Sequence, residues 1–352
     1  MSAVAVDQPT KKQSLIFSLL RLLEDGEFHS GEVLAQQLGI SRASVSNALR
    51  GVSSYGLSLY SVRGRGYCLN NPPQWLDAEL ITSHLARHLT SHLGASASKF
   101  RIEILDSTPS TNTLMLQRAM QGAAHGTVLA AEWQSSGRGR MGKTWHSALG
   151  NALTFSLLWR FESGLSSLAG LSLAAGVALI RALHSFGIDQ VKLKWPNDVL
   201  SEERKVAGIL IEAQGDMLGP STVVIGIGLN LSLPPTLLPQ LGQAVTALSD
   251  LVAEADVAMP ERNALLAKIL LELQNVLQTF SAHGFAALRT EWEGYHAWQN
   301  KNVLVVLPEG SHASGLAVGV TDQGALILER GQETRIFHTG ETSLRLAQDV
   351  AD

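Results

Sequence analysis

The segment GRGRMGKT, Gly137 to Thr144, packs three glycines and two arginines into residues 137–142. Glycines let a backbone approach a ligand closely and reach positive φ. Arg138 and Arg140 add fixed charge and forked donors suited to phosphate or carboxylate oxygens. The same letters satisfy the P-loop spacing G-x-x-x-x-G-K-[ST] and the dinucleotide spacing G-x-G-x-x-G. Both of those loops lead into a helix whose N-terminus helps hold phosphates. Here TWHSALGN carries a Gly-Asn breaker at 150–151, and ALTFSLLW then reads as a strand. Neither pattern has its context, so the segment reads as an anion-cradling loop between two strands.

Three more stretches carry candidate chemistry. VKLKWPND (191–198) alternates Val191, Leu193 and Trp195 with Lys192 and Lys194, then stops at Pro196. That puts Lys194 on a strand end, where a charge can be held in place. TVVIGIGLNL (222–231) has Gly226 and Gly228 inside a buried strand. Strand glycines weaken a sheet unless something must come close. Asn230 at its end is placed to read an adenine edge. DSTPSTN (106–112) is a polar turn ahead of a helical segment, suited to neutral hydrogen bonds with a small polar ligand.

These stretches need a scaffold. With 352 residues the chain is too long for one core and predicts two or three domains. In residues 1–76, a helix over 14–23 is followed by two short helices capped by Ser30 and Ser41, with Gly39 turning between them. This is a helix-turn-helix signature. GLSLYSV, the turn RGRG and GYCLN then form a hairpin, the wing of a winged helix. Between Ser41 and Leu76 stand Arg42, Arg50, Arg63 and Arg65 and no acidic residue. Charge on the third helix and wing predicts DNA contact rather than a protein-binding winged helix. Ser44 and Asn47 are placed toward base edges. Pro72 and Pro73 mark a linker.

Residues 77–296 mix strands near 100–105, 127–133, 152–159, 191–195, 206–213 and 222–230 with helices near 78–93, 113–121, 168–186 and 261–282. The expectation is a mixed sheet with helices on one side, an α+β fold. Residues 297–352 change to short strands separated by turn signals, a small β-domain. In the helix near 78–93, His84, His88 and His92 recur at metal-ligand spacing. Leu85, Leu89 and Leu93 beside them make the simpler reading a buried face flanked by histidines, so no metal held by protein alone is expected.

Composition bounds the function. A net charge of −4 does not build the whole chain for nucleic acid or membrane. One cysteine, Cys68, excludes an internal disulfide framework and fits a reducing cytosol. The start lacks a signal-peptide order, and the apolar run Leu171–Ile180 ends at Arg181, too short to span a bilayer. A cytoplasmic protein is expected.

Together these stretches resemble the biotin–protein ligases. The N-terminal domain makes the chain similar to bifunctional members that also repress biotin-synthesis genes. GRGRxG stands at 137–142, KWPND at 194–198, STN at 110–112, a glutamine before the loop at 134, GxGxN at 226–230 and SLR at 343–345. The resemblance implies an SH3-like C-terminal β-barrel. It also implies that biotin and MgATP give biotinoyl-5′-AMP and pyrophosphate. A lysine of an acceptor, such as the acetyl-CoA carboxylase carrier subunit, then takes the biotin.

Residue by residue, it implies that Ser110, Thr111, Asn112 and Gln134 bind biotin's polar ring. Arg138, Gly139 and Arg140 would close over biotin and the adenylate phosphate, Trp145 would pack on the biotin tail, and Lys194 would meet the carboxylate and acyl phosphate. Gly137, Gly142, Asn197, Asp198, Gly226, Gly228, Asn230 and Arg345 fall to the ATP side, with Mg²⁺ arriving on ATP. Operator DNA and a homodimer formed with bound adenylate are the implied partners.

The physics agrees. A carboxylate attacking an α-phosphate brings two anions together, which requires positive charge and positioning rather than a nucleophile or base. His146 and Thr154 depart from the aromatic residues often found at those places, so adenine packing is expected to be weaker or built differently. Two other functions compete: a ligase for a different acyl group such as lipoate, and a non-catalytic ligand-sensing repressor. GRGRxG with KWPND favours biotin, and the intact loop with Lys194 favours an enzyme.

Overall fold

The computed structural model describes residues 10–90, 100–235, 237–307, 310–340 and 342–347. In the first unit Thr10 caps α1 (Lys11–Leu22) through a reciprocal box with Gln13. Ser30 caps α2 (Gly31–Leu38), which Gly39 closes in the left-handed region at φ 61°. Ser41 caps α3 (Arg42–Leu49) by accepting from the Ser44 amide. β1 (Ser58–Val62) pairs antiparallel with β2 (Gly66–Asn70) to form the wing. Phe17, Leu20, Leu34, Val45 and Leu49 make the core beneath.

The central unit runs α4 (Ala78–Thr90), β3 (Arg101–Thr108), α5 (Thr111–Met120), β4 (Thr127–Gln134), β5 (Gly137–Arg138), β6 (Thr144–Trp145) and β7 (Ala152–Phe161). It continues through α6 (Leu171–His184), β8 (Val191–Lys194), β9 (Asp198–Ser201), β10 (Arg204–Gly215), β11 (Ser221–Asn230), α7 (Leu248–Ala255), α8 (Arg262–His283) and α9 (Arg289–Tyr295). Seven strands form one sheet in the order β3-β4-β7-β11-β10-β9-β8. Only β3 and β4 are parallel, so the sheet is mixed.

Strand alternation sorts the two faces. Val128, Leu157 and Ile225 join α6 and α8 in the main core. Leu129, Leu158 and Val224 pack instead with Leu114 and Met115 of α5. Helices therefore lie on both faces, not on one side as the pattern suggested, and the face carrying α5 is only partly covered. His84 sits 3.5 Å from Glu261. The side chain of His88, and His92 altogether, lie outside the described residues.

The C-terminal strands β12 (Asn302–Val306), β13 (His312–Val320), β14 (Leu326–Arg330), β15 (Glu333–Phe337) and β16 (Ser343–Leu346) form an antiparallel sheet ordered β15-β14-β13-β12-β16. Among the described residues it is open between β15 and β16, compatible with an SH3-like barrel but not closed into one. Val303, Val305, Leu328 and Leu344 share the core of the central sheet. Trp195 donates its indole N–H to the Gly324 carbonyl across this junction, at 3.0 Å. Among the described residues no helix is long and apolar enough to cross a membrane.

The segment after Pro72–Pro73 is not a free tether. Arg262 and Glu132 form an ion pair at 2.9 Å with side chains 4% and 0% exposed. Glu132 also accepts from the Leu76 amide at 2.6 Å, and Arg262 donates to the carbonyls of Gln74 and Ala152. Asn263 adds bonds to the Trp75 carbonyl and the Asp77 amide. The winged helix is further docked by Leu149, which belongs to its core and donates its amide to the Tyr55 carbonyl at 2.9 Å. Removing one member of a buried pair leaves the other charged and unpartnered. Glu132→Ala should therefore lose about 3–5 kcal/mol of unfolding free energy, measured by urea denaturation. A loss under about 1 kcal/mol, the range of an exposed pair, would refute the assignment.

Candidate active site

The site lies on the face that α5 leaves partly open. Cross-strand pairing sets Gly226 opposite Leu210 and Gly228 opposite Gly208, all on that face. A Cβ on Gly226 would overlap Asn112 Oδ1, and one on Gly228 would overlap the Trp145 ring. Neither glycine has positive φ, so the need here is space. The bare backbone lets Asn112, from the start of α5, and Trp145, from β6, lie flat against the sheet.

A buried polar wall follows. Ser110 caps α5 by accepting from the Thr113 amide. The Thr111 amide donates to Gln134 Oε1 at 2.7 Å. Ser156 Oγ lies 2.8 Å from Thr111 Oγ1 and 2.6 Å from Asn112 Oδ1. Asn112 Nδ2 donates to Glu212 at 3.0 Å and to the Leu210 carbonyl. The glycine loop arches opposite: β5 pairs with β6, and the Gly139 amide donates to the Lys143 carbonyl at 2.7 Å. Gly142 turns the loop at φ 71°, where a side chain would be strained.

Cations line the remaining side. Lys194 ends β8 and lies 4.6 Å over the Trp298 ring. Its strand is held by the Ala297 amide, which donates to the Leu193 carbonyl, and by His296, stacked on Trp292. Burial pushes His296 down to about 4, so that ring is neutral at neutral pH. Lys205 pairs with Asp198 at 2.7 Å. Arg140 donates to Asn197 Oδ1 at 3.1 Å and to the carbonyls of Thr339 and Gly340.

Burial holds Lys194 below the ordinary lysine range; Asp198 opposes this, while Lys205, Lys143 and Arg345 add to it. Burial lowers Arg140 in the same way. Among the described lining residues Asp198 is the single carboxylate. The cavity is therefore short of negative charge, and an arriving anion opposes the downward shift of both groups.

Of the residues singled out in the sequence, Ser110, Thr111, Asn112, Gln134, Arg138, Gly139, Arg140, Trp145, Lys194, Asn197, Asp198, Gly226 and Gly228 line one cavity. Gly137 and Gly142 instead line a shallow recess on the outer side of the loop. Asn230 is buried outside the cavity, with its amide committed to the carbonyls of Lys205 and Thr246. Arg345 is exposed on β16 and reaches the site only through its field on Lys194. His146 does not line the cavity, and the Thr154 hydroxyl donates to the Ala131 carbonyl.

Residues 104–230 match the model of the Biotin/lipoate A/B protein ligase family, residues 16–68 an HTH domain and residues 300–345 the biotin protein ligase C-terminal domain. The chain is 34% identical to the Bifunctional ligase/repressor BirA of Escherichia coli, over 96% of this chain and 99% of that one. It is 33% identical to the protein of the same name from Salmonella typhimurium, over 96% and 100%. The chain belongs to the family of bifunctional biotin–protein ligases and repressors. A biotin protein ligase from Aquifex aeolicus, solved with biotin and ATP, superposes with a TM-score of 0.58 and 26% identity, covering 70% of this chain and 99% of that one.

Sequence reasoning missed several residues that line the cavity of this ligase: Lys143, Lys205, Gln243, Thr342 and Ser343. Lys143 belongs to the glycine loop itself, Lys205 lies near the start of β10 with no local pattern to mark it, and Gln243, Thr342 and Ser343 arrive from the segment after β11 and from the start of β16. At the winged helix, Arg42, Asn47, Arg50, Arg63 and Arg65 are exposed and Ser44 is half-buried. Asn47 accepts from Arg50 at 2.7 Å, Ser44 bonds Ser41, and Arg65 lies 4.0 Å over Phe28.

The glycine reading yields a stability test of the ligase. Gly228→Ala must displace the Trp145 ring and should cost roughly 1–3 kcal/mol, as overpacking does. Gly242→Ala, with open space around it, is the control. Equal urea stabilities for the two variants would contradict the close-approach account.

Proposed function

We propose that the chain is an ATP-dependent biotin–protein ligase that forms biotinoyl-5′-AMP and passes biotin to a lysine of an acceptor protein, and that it represses biotin-synthesis genes through its winged helix. The observation carrying this reading is one cavity in which a buried polar wall meets a cluster of cations with a single carboxylate. The wall of Thr111, Gln134 and Ser110 suits a ureido ring, which exchanges several hydrogen bonds. A lipoate-like acyl chain would leave the remaining hydrogen-bonding capacity of those buried groups unused.

In the first step a biotin carboxylate oxygen attacks the α-phosphorus of ATP, and pyrophosphate leaves. Lys194 and Arg138 draw the two anions together and stabilise the charge that gathers on the phosphorus oxygens. Arg140 and the glycine loop hold the adenylate against water. In the second step the acceptor's ε-amine attacks the acyl carbon, and AMP leaves. Asp198 is engaged by Lys205 and is alone among the lining carboxylates, so Mg²⁺ is carried in by the triphosphate. Gly226 and Gly228 serve this reading as room for Asn112 and Trp145, with Asn197 orienting Arg140. Gly137 and Gly142 shape the loop, and Asn230 and Arg345 act from outside the cavity. The acceptor is a biotin carboxyl carrier domain, such as that of acetyl-CoA carboxylase, and the protein acts in the cytoplasm.

Operator binding uses Arg42, Arg50, Arg63 and Arg65 on phosphates, with Ser44 and Asn47 toward bases. One winged helix makes few contacts, so a homodimer formed with adenylate bound, spanning two half-sites, gives useful affinity.

Two measurements test the reading. Lys194→Ala should slow adenylate formation at least about a hundredfold, as loss of a preorganised charge does. Unchanged pyrophosphate release in a folded variant would refute the role of Lys194, and no biotin transfer by the wild type would refute the ligase. Operator affinity at fixed salt should rise with biotin and ATP present, alongside dimer formation in sedimentation. Affinity and oligomeric state both indifferent to ligand would separate the two activities.

A further inference from the structure

Glu212 belongs to none of the motifs above and does not line the cavity. Its place in the sheet makes it hard to dismiss as a surface carboxylate. It follows Gly208 and Leu210 along β10 on the same face, one step beyond the cavity floor, and pairs across to Val224 under α5. Its side chain is 23% exposed. Both carboxylate oxygens are engaged. Oε1 lies 3.0 Å from Arg138 Nη2, and Oε2 accepts from Arg138 Nη1 at 3.3 Å and from Asn112 Nδ2 at 3.0 Å. The second Arg138 contact is Thr113 Oγ1 at 3.3 Å, also on α5.

One carboxylate thus joins two structures that are far apart in sequence. Through Asn112 it reaches the polar wall, since Ser156 links Asn112 to Thr111 and Thr111 links to Gln134. Through Arg138 it reaches the leading strand of the glycine loop. Arg138 is otherwise about half exposed, with its side chain 47% accessible. A long, charged side chain at that exposure loses considerable rotamer entropy when it is held in one place. A forked pair with a carboxylate sets that orientation before any ligand arrives.

We propose that Glu212 is a positioning residue of the ligase: it fixes Arg138 and the Asn112 amide in one network, so that the ring-binding wall and the glycine loop engage biotin as a preorganised unit. This rests on the ligase reading above. Glu212 touches neither substrate nor reacting atoms. Its effect belongs first in biotin affinity and loop order, and reaches the chemical step only through the placing of Arg138.

The test uses full-length protein and two readouts. Glu212→Gln keeps the shape and removes the charge. It should raise the KM for biotin about threefold to tenfold, the range for a partly exposed charged hydrogen bond, with kcat lowered by a smaller factor because Arg138 itself is still present. Trypsin should cut the ligand-free loop at Arg140 and Lys143 faster by a similar factor. In an Arg138→Ala background the same substitution should add little to either readout, because the two residues share one interaction. Glu212→Asp, one methylene shorter, should fall between Glu212→Gln and wild type, and it carries the test if Glu212→Gln does not fold.

KM and cleavage equal to wild type would overturn the proposal. So would an effect undiminished in Arg138→Ala. A wild-type protein that makes no biotinoyl-AMP would instead overturn the ligase reading, and the cleavage arms would still decide the role of Glu212.

Discussion

The site depends on two missing side chains. Gly226 and Gly228 sit in the middle of β11, where a branched residue would normally serve a sheet better. Their absence of Cβ atoms lets Asn112 and the Trp145 ring rest on bare backbone. Asn112 is then near enough to bond Ser156, Leu210 and Glu212, which orders the start of α5 and with it Ser110 and Thr111. Trp145 in turn anchors the return strand of the glycine loop. A local weakness in one strand is the condition for bringing the polar wall and the loop together.

The electrostatics follow from where the elements converge. β8 delivers Lys194 and β10 delivers Lys205, while the C-terminal sheet closes the cavity with Thr342 and Ser343. Burial without enough counter-charge depresses Lys194 and Arg140. That arrangement is costly while it waits and favourable once anions enter, which is how a binding site for two anionic reactants differs from a structural ion pair. Arg262–Glu132 is the contrast: more deeply buried, but mutually neutralising and bonded into the linker.

The winged helix is attached to this machinery by more than its linker. Leu149, four residues beyond Trp145, plugs the winged-helix core, and Tyr55 packs edge-on to Trp133 at 4.7 Å. Arg21 of α1 pairs with Asp106, near the end of the strand β3 that leads to Ser110, at 2.6 Å. Both segments that frame the cavity thus touch the DNA-binding unit directly. Any ligand-dependent shift of Trp145 or of the junction between β3 and α5 has a short mechanical route to α1 and α3.

What the sequence by itself determined is local. The caps at Ser30 and Ser41, the turn at Gly39 and the basic wing follow from short-range hydrogen bonding and φ preference, which act over a few residues. The strand glycines were legible as points of close approach, and Lys194 as a charge on a strand end, for the same reason. Tertiary structure alone decided what approaches the glycines, because Asn112 and Trp145 lie more than eighty residues away along the chain. It also put Asn230 outside the cavity, brought in Lys205, Thr342 and Glu212, and set α5 on the opposite face from α6 and α8. These outcomes depend on sheet order and register, and pairing between distant strands leaves no period in any one of them.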